Sequence, residues 1–543
     1  MSGRHLEAIT RAMRTADFYP HATQGIEVRD THISRVFLTG KRVYKIKKPV
    51  NLGFLDFSTL EKRRANCRRE VDLNRRLSSG VYCGVIPISH RRGGYQFGEG
   101  GKIVEYAVKM NQLDESRSLA SLVARKTPLI HEIRRLAEKL TGFYLGQADR
   151  YPALSNSYWQ RLYDACEENF AQTQSHAGTV FDEASFLAVR EATRSFLTLW
   201  KGLFDDRIRT GKIVDGHGDL RTDHIYFTED SRIQLIDCIE FNDRLRYIDA
   251  ASDIGFLAMD LEFRGAEDLA VALTESYVKL TGDCQAYAVL PFYKCYRAMV
   301  RCKVGCIRLT SGSDSIEEKD KGCREVEHHL ELALRYALEV ERPSVWVVCG
   351  MPASGKSTLA KALSKTLGVA CLRSDVIRKE MFGLDPWRAA VTTDSNGIYS
   401  EDADHRTYKE LIDRAGLLVA EGRSVVLDAT FSRRRHRRQL LQVGTGHDVR
   451  IWFVECLAPD GVLMDRLKRR EHRSGVSDAR PQHFSGFKER YQPFTDVNPR
   501  MLIRVSGTAP MPDTIGDILS GSVGSAKTPT EQSRIPESPQ RVH

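Results

Sequence analysis

Apolar and polar positions follow two regimes along the chain. Up to about residue 340, helical spacing dominates and strand-like runs are short; beyond Pro343, continuous apolar runs alternate with helical segments. Residues 1–30 read as a helical lead-in. ISRVFLTGKRVYKIK (33–47) carries two β-rich runs around Thr39-Gly40, which predicts a hairpin. TLEKRRANCRREVDLNRRL (59–77) has apolar positions at helical spacing on a highly charged helix. Short strands are expected near 84–88 and 102–110, and 115–210 reads as mostly helical. Two β-like runs, IVDGHGDL and RIQLIDCIEF, then interrupt the helices. TSGSDSIEEKDKG (310–322) is polar and turn-rich, the pattern of a loop or hinge, and REVEHHLELALRYALEVE after it reads as one helix.

After Pro343, SVWVVC (344–349) is a buried strand of the parallel type, and VVLDATF (425–431) and IWFVECL (451–457) repeat it between helices. Such alternation predicts a parallel α/β sheet. The Ser-, Pro-, Thr- and Gln-rich tail has too little apolar surface to order itself. The expected organisation is therefore an α+β domain over 1–312, a linker helix over 313–342, an α/β domain over 343–515, and a disordered tail over 516–543.

Composition narrows the class. The 543 residues are 41% hydrophobic and 28% charged, which excludes a disordered chain, a collagen and a coiled-coil rod. No apolar run approaches the roughly 18 residues of a membrane span, and MSGRHLEAITRAMRTADFYPH has no apolar core of a secretory signal. Twelve scattered cysteines without a CxxC pair fit a reducing cytoplasm, and no membrane partner is expected. The net charge of +10 suits a protein that handles phosphates, without indicating nucleic acid by itself.

GMPASGKST (350–358) matches the phosphate-loop pattern GxxxxGK[ST] between a strand and a helix. Gly350 and Gly355 let the loop wrap an anion. Gly350, Met351, Pro352, Ala353, Ser354, Gly355, Lys356, Ser357 and Thr358 form the loop, and the backbone N–H groups of all but Pro352, with the helix N-terminus, present partial positive charge. Lys356 reaches the β- and γ-phosphates and Ser357 ligates Mg²⁺. In LRSDVIRK, Asp375 follows an apolar stretch and is placed to accept a proton from an attacking hydroxyl, with an N-cap as the plainer alternative. Asp428, directly after a strand, suits Mg²⁺. Arg466 and Arg470 lie four apart on one helix face, either closing over a phosphoryl group or simply solvated. RRRHRR (433–438) reads as surface, with a contact to a substrate phosphate as the alternative given its place after the DATF loop. With these motifs, residues 343 to about 510 resemble P-loop kinases of the AAA-labelled type, closer to polynucleotide and adenylate kinases. That resemblance makes Asp375 the base, Arg378 a substrate contact, and Arg466 and Arg470 lid arginines.

HGDLRTDH (217–224) and LIDCIEF (235–241) carry a second constellation. In protein kinases the catalytic-loop Asp and a metal-binding residue sit five apart, and a second metal-binding Asp follows. Here Asp219 takes the base position, His224 lies five on, and Asp237 ends RIQLID. Lys45 and Lys47 share one strand face; Lys45 is the choice for the α/β-phosphates, with Glu70 orienting it. VEYAVKM (104–110) is similar to a hinge strand, and THISRV (31–36) would be the phosphate-covering turn. Residues 25–310 thus resemble the aminoglycoside phosphotransferases, a branch of the protein-kinase-like fold, and Asp253 reads as structural. His224 stands where that family has Asn. Imidazole suits softer metals than Mg²⁺, so Mn²⁺ is an alternative there. The fused layout is similar to that of bacterial bifunctional aminoglycoside phosphotransferase/ATP-binding proteins.

The expected function is transfer of the ATP γ-phosphate to hydroxyl acceptors at two nucleotide sites, with a small-molecule acceptor and, for the C-terminal half, a nucleic-acid end as an alternative. Two other readings stay open: an N-terminal half that binds nucleotide only to regulate the other, and a nucleotide-gated interaction module. Cys295, Cys302, Cys306, Cys323 and His328 lack zinc-site spacing, Trp159, Trp200 and Trp346 read as core, and His328-His329 as a solvated face.

Overall fold

The computed structural model describes residues 3–31, 33–51, 55–91, 94–147, 157–311, 315–385, 398–446, 449–470 and 480–524. They fall into two compact units: Met1–Leu187 with Phe204–Leu280 and Tyr293–Leu334, and Ala188–Leu203 with Thr281–Phe292 and Arg335–His543.

The first unit contains a six-stranded antiparallel sheet. Its strands are β1 (Glu27–Asp30), β2 (Ser34–Leu38), β3 (Arg42–Lys47), β4 (Tyr82–Arg91), β5 (Gly94–Phe97) and β6 (Lys102–Asn111), in the order β1-β2-β3-β6-β4-β5. β2 and β3 form the hairpin about Thr39-Gly40, with Phe37 opposite Tyr44 and Val36 opposite Lys45. Strand periodicity sends Tyr44 and Ile46 to one face, where Leu6, Ile9 and Met13 of helix Gly3–Met13 cover them. Lys45 and Lys47 therefore point to the opposite face, which helix Leu60–Asn74 covers. Thr59 caps that helix by accepting from the Lys62 N–H. Its inward face is less apolar than its spacing suggests. Arg63, Glu70 and Asn74 are buried on it beside Cys67 and Val71. Arg63 is tolerated there because both Glu105 oxygens accept from its Nε, at 3.0 and 2.9 Å.

Below this sheet the first unit is largely helical. Two short ladders interrupt it: β7 (Ile213–Asp215) with β10 (Tyr247–Asp249), and the hairpin of β8 (Ile225–Phe227) and β9 (Ile233–Leu235). They hold the segments that carry HGDL and LID.

The second unit is built on a five-stranded parallel sheet: β11 (Ser344–Cys349), β12 (Ala370–Arg373), β13 (Val425–Asp428), β14 (Arg450–Leu457) and β15 (Leu502–Ser506), in the order β12-β13-β11-β14-β15. Central β11 is the apolar run SVWVVC; Val345, Val347 and Cys349 are fully buried with Leu427, Phe431 and Phe453.

Four expectations change. The segment read as a loop over 310–322 is mostly helix. Helix Ile316–Glu341 starts inside it, capped by Ser315, whose Oγ accepts from the Glu318 N–H while Glu318 accepts from the Ser315 N–H. This Ser-x-x-Glu box is a start signal that outweighs the polar composition. The tail read as disordered from 516 is helical to Gly524, because Ile515, Ile518 and Leu519 recur at helical spacing and are buried; 525–543 lie outside the described residues. His329 is buried rather than solvated, its ring stacked at 4.1 Å on Phe263. In the basic run, His436 and Arg437 are buried. Arg437 holds Asp496 and the carbonyls of Phe431, Gln492 and Pro493. Among the described residues no helix is long and apolar enough to cross a membrane.

Two outcomes follow from these buried groups. Arg437→Ala leaves Asp496 without its cation and is expected to destabilise the second unit by about 3–5 kcal/mol, read as a lower urea midpoint. Burial pushes His329 and His436 down to about 4. The unfolded chain then binds protons that the folded chain does not, so stability falls as pH drops from about 6.5 toward 4, by up to about 3 kcal/mol per histidine. Thermal unfolding at pH 7 and pH 5 checks this, and His436→Gln should flatten the dependence.

Candidate functional site

In the first unit, β3 and helix Leu60–Asn74 bring Lys45 and Glu70 together, as the sequence predicts. Lys45 Nζ lies 3.0 Å from Glu70 Oε1 and 2.7 Å from Asp237 Oδ1. Lys47, one strand period on, lies 2.8 Å from Glu70 Oε2 and pairs with Glu240. Burial opposes the charge on both lysines, but Asp237 and Glu70 outweigh it at Lys45, and Glu240 and Glu70 at Lys47; both are held above the usual lysine range. The Lys47–Glu240 pair is missed by the sequence reading. Its only signal is Glu240 three residues after Asp237.

The HGD loop is shaped by groups far from it in sequence. The His217 and Gly218 N–H groups donate to Asp253 at 2.6 and 2.9 Å, which gives that residue the structural part expected of it. Thr222 donates through N–H and hydroxyl to Asp260. Gly218 has φ +86°, and a Cβ there would lie 2.8 Å from the Leu245 carbonyl oxygen, so only glycine fits. Asp237 also sits in the left-handed region, at φ +62°. Its N–H donates to the Tyr82 hydroxyl.

Asp219, His224 and Asp237 converge. His224 lies 3.6 Å from Asp219 Oδ2 through Nδ1 and 3.7 Å from Asp237 Oδ2 through Nε2. Arg221, unmarked in the sequence reading, donates to both Asp219 oxygens, at 3.0 and 3.2 Å. Burial alone would raise the Asp219 carboxyl; Arg221 and His224 outweigh it and hold it well below the usual range. Lys45 and His224 do the same for Asp237. These groups line one cavity of about 1330 Å³, roofed by Val36, Leu38, Val43 and Met110. Of THISRV, Thr31, Ile33 and Ser34 also line it, and His32 lies outside the described residues.

The donor set fits Mg²⁺ at Asp237 but not at His224. Arg221 Nη2 donates to His224 Nε2 at 3.0 Å, and Nδ1–H donates to the Asp219 carbonyl at 2.9 Å, so both ring nitrogens are engaged. Among the described residues no group of three or more His, Cys, Asp and Glu is placed to hold a metal.

In the second unit the phosphate loop joins β11 to helix Lys356–Leu367. Gly350 has φ +127°, and a Cβ there would meet the Cys456 carbonyl at 2.5 Å. Ser357 Oγ donates to Asp428 Oδ1 at 3.1 Å, an all-oxygen pair suited to Mg²⁺. Arg373, also missed, donates to the other Asp428 oxygen at 2.9 Å. Asp375 opens helix Ser374–Met381; burial raises its carboxyl pKa, only partly offset by Lys356. Arg378 is buried and donates to Asp404 and to the Ile398 carbonyl. Arg466 contacts the backbone of the loop. It donates to the carbonyls of Ala353, Ser354 and Gly507 at 3.1, 3.2 and 2.9 Å. Arg470 ends helix Asp460–Arg470, and its side chain lies outside the described residues.

Both units have kinase-type folds: an antiparallel sheet over a helical half carrying HGD and LID, and a parallel sheet with its phosphate loop after the central strand. Residues 345–494 match the model of the AAA domain. Among solved structures, the chain is similar to a choline/ethanolamine kinase family protein from Mesorhizobium loti, at 13% identity over 60% of this chain and 99% of that one, TM-score 0.35. It is also similar to the Mycobacterium tuberculosis APS kinase CysC, at 23% identity over 33% and 96%, TM-score 0.26. The uncharacterized proteins Rv2004c of Mycobacterium tuberculosis and Mb2027c of Mycobacterium bovis are each 32% identical over 467 residues, 86% of this chain and 90% of theirs. The match therefore runs through both units, and the chain belongs to the family of these two mycobacterial proteins.

Proposed function

We propose that the chain is an ATP-dependent phosphotransferase with two nucleotide sites, one in each unit, each passing the γ-phosphoryl group to a hydroxyl acceptor. The observation that carries this reading is the ion pairing of Lys45 with both Glu70 and Asp237, 192 residues further on. It supports a lysine oriented toward the α/β-phosphates and an aspartate beside it facing the same cavity.

In the first unit, Asp219 orients the acceptor hydroxyl and takes its proton as the new bond forms. Arg221 holds that carboxylate ionised, which suits proton acceptance late in a loose transition state. The apolar roof of the cavity receives the adenine. In the second unit, the loop Gly350–Thr358 and Lys356 hold the phosphates, and Asp375, with its raised proton affinity, serves as base. Arg378, fixed by Asp404, faces the acceptor side, and Arg466 acts through the loop backbone. Mg²⁺, when bound, offsets phosphate charge; Asp237 would hold it in the first unit, and Ser357 with Asp428 in the second. All twelve cysteines are free thiols, which supports a cytoplasmic setting. The acceptor class is a small hydroxyl compound, with a nucleic-acid end as the alternative in the second unit.

The test is ATP turnover and phosphate transfer by the full chain and three variants. Lys356→Ala is expected to lower second-site turnover by about 10²-fold or more, and Asp219→Ala first-site turnover by about 10²–10⁴-fold. Lys45→Ala should raise the first-site KM for ATP. If Lys356→Ala alone removes all turnover, the first unit binds nucleotide without transferring phosphate. The engagement of both His224 nitrogens favours that second reading.

A further inference from the structure

The cavity of the first unit extends past Asp219 to helix Tyr158–Thr173 and helix Ala286–Ser311. On that side the carboxylates are satisfied. Asp164 accepts from Gln160 at 2.8 Å. Glu168 accepts from Gln172 at 3.1 Å and lies 3.7 Å from Lys303. Asp223 accepts from Arg264 at 3.0 Å, and Asp219 is held by Arg221.

What is left over is a set of donors. Arg297 is 5% exposed. Its Nη1 donates to the Gly218 carbonyl at 3.0 Å, immediately before Asp219, and its Nε donates to Ser252. Its Nη2 is buried and has no partner. Asn169, 2% exposed, lines the same cavity, and its Nδ2 is likewise buried without a partner. Arg301 lies four residues after Arg297, hence on the same helix face, and makes no ion pair or hydrogen bond among the described residues. Burial and the Arg221 guanidinium push its proton affinity down, and Asp219, Asp260 and Asp223 offset them only in part. A buried donor left unmet is destabilising, and there are two here beside the Arg301 guanidinium. An amine-bearing acceptor would add positive charge beside Arg297 and Arg301; an acceptor bearing an anion would meet the donors that line this side of the cavity.

We infer that the acceptor of the first unit is an anionic alcohol, a hydroxyl compound that also carries a phosphate or carboxylate, with its anion received by Arg301, Arg297 Nη2 and Asn169 Nδ2. This rests on the proposed transfer at Asp219. In that step the acceptor oxygen bonds to the γ-phosphorus, the bond from that phosphorus to the bridging β,γ oxygen breaks, ADP leaves, and the hydroxyl proton goes to Asp219.

The test uses the full chain carrying Lys356→Ala, so that second-site turnover is silenced. Turnover is measured with glycerol 3-phosphate, glycerate, glycerol and ethanolamine. The phosphate- or the carboxylate-bearing alcohol should be phosphorylated in preference to the other two. Arg301→Gln should raise its KM about tenfold or more, the loss of one charge-assisted contact, without moving the KM for ATP. As a probe independent of turnover, inorganic phosphate and acetate should raise the melting temperature of the ATP-loaded protein in a manner lost in Arg301→Gln. Preference for glycerol or ethanolamine, an Arg301→Gln effect on ATP instead of acceptor, or anion binding indifferent to Arg301 each overturns the inference. Calorimetric titration of ATP into the Lys356→Ala protein reads the underlying nucleotide site separately. Absence of ATP binding there sinks the two-site reading, while the melting measurement without ATP still decides the anion subsite.

Discussion

Both oxygens of the Glu70 carboxylate are taken by lysines, Lys45 at 3.0 Å and Lys47 at 2.8 Å, and each lysine reaches on to a second carboxylate. Glu70, Lys47 and Glu240 are all withdrawn from water, so none of these charges is affordable alone. The arrangement works only when helix Leu60–Asn74, strand β3 and the segment 237–240 occupy their places together. A helix interior, a strand and a loop are thereby fixed to one another by electrostatics at the point where apolar packing would leave no room for chemistry. The sheet's other face, closed by helix Gly3–Met13, supplies the ordinary hydrophobic support.

The second unit meets the same constraint differently. There the parallel sheet is an apolar slab, and polar groups gather at the carboxyl ends of its strands. Asp428, 4% exposed at the end of β13, is shared between Ser357 and Arg373. The carboxylate thus ties the phosphate loop's helix to the strand end of β12. Arg437 does a comparable task on the far side, gathering Asp496 and three carbonyls around one planar group.

How much of this the sequence reveals depends on how locally it is written. The loop GMPASGKST holds its chemistry in nine consecutive residues, so strand, turn and helix start are legible together. Lys45, Glu70, Asp219 and Asp237 are dispersed, yet each sits at a recognisable place on a strand, a helix or a loop after a strand. Glu240, Arg221, Arg373 and Arg297 carry no such address. Their roles come from partners that folding brings close, and one sequence holds no record of such pairing. Arg437 within the basic run and His329 beside exposed His328 mislead for the same reason: composition favours water, while Asp496 and Phe263, distant in sequence, make burial favourable. The helix ending at Gly524 shows a third cause, apolar spacing hidden inside a stretch judged by its overall polarity.

The position of Arg466 has a consequence for the field inside the phosphate loop. A trans peptide points its N–H away from its C=O, and the chain has no cis peptide among the described residues. With the Ser354 carbonyl tied to the guanidinium, the peptide joining Ser354 to Gly355 has lost its freedom to flip, and the Gly355 N–H is directed to the opposite side. The cation therefore contributes less as a charge than as a clamp on the direction of a dipole. The loop's electrostatic polarity is set before any ligand arrives, by a side chain from a helix more than a hundred residues downstream.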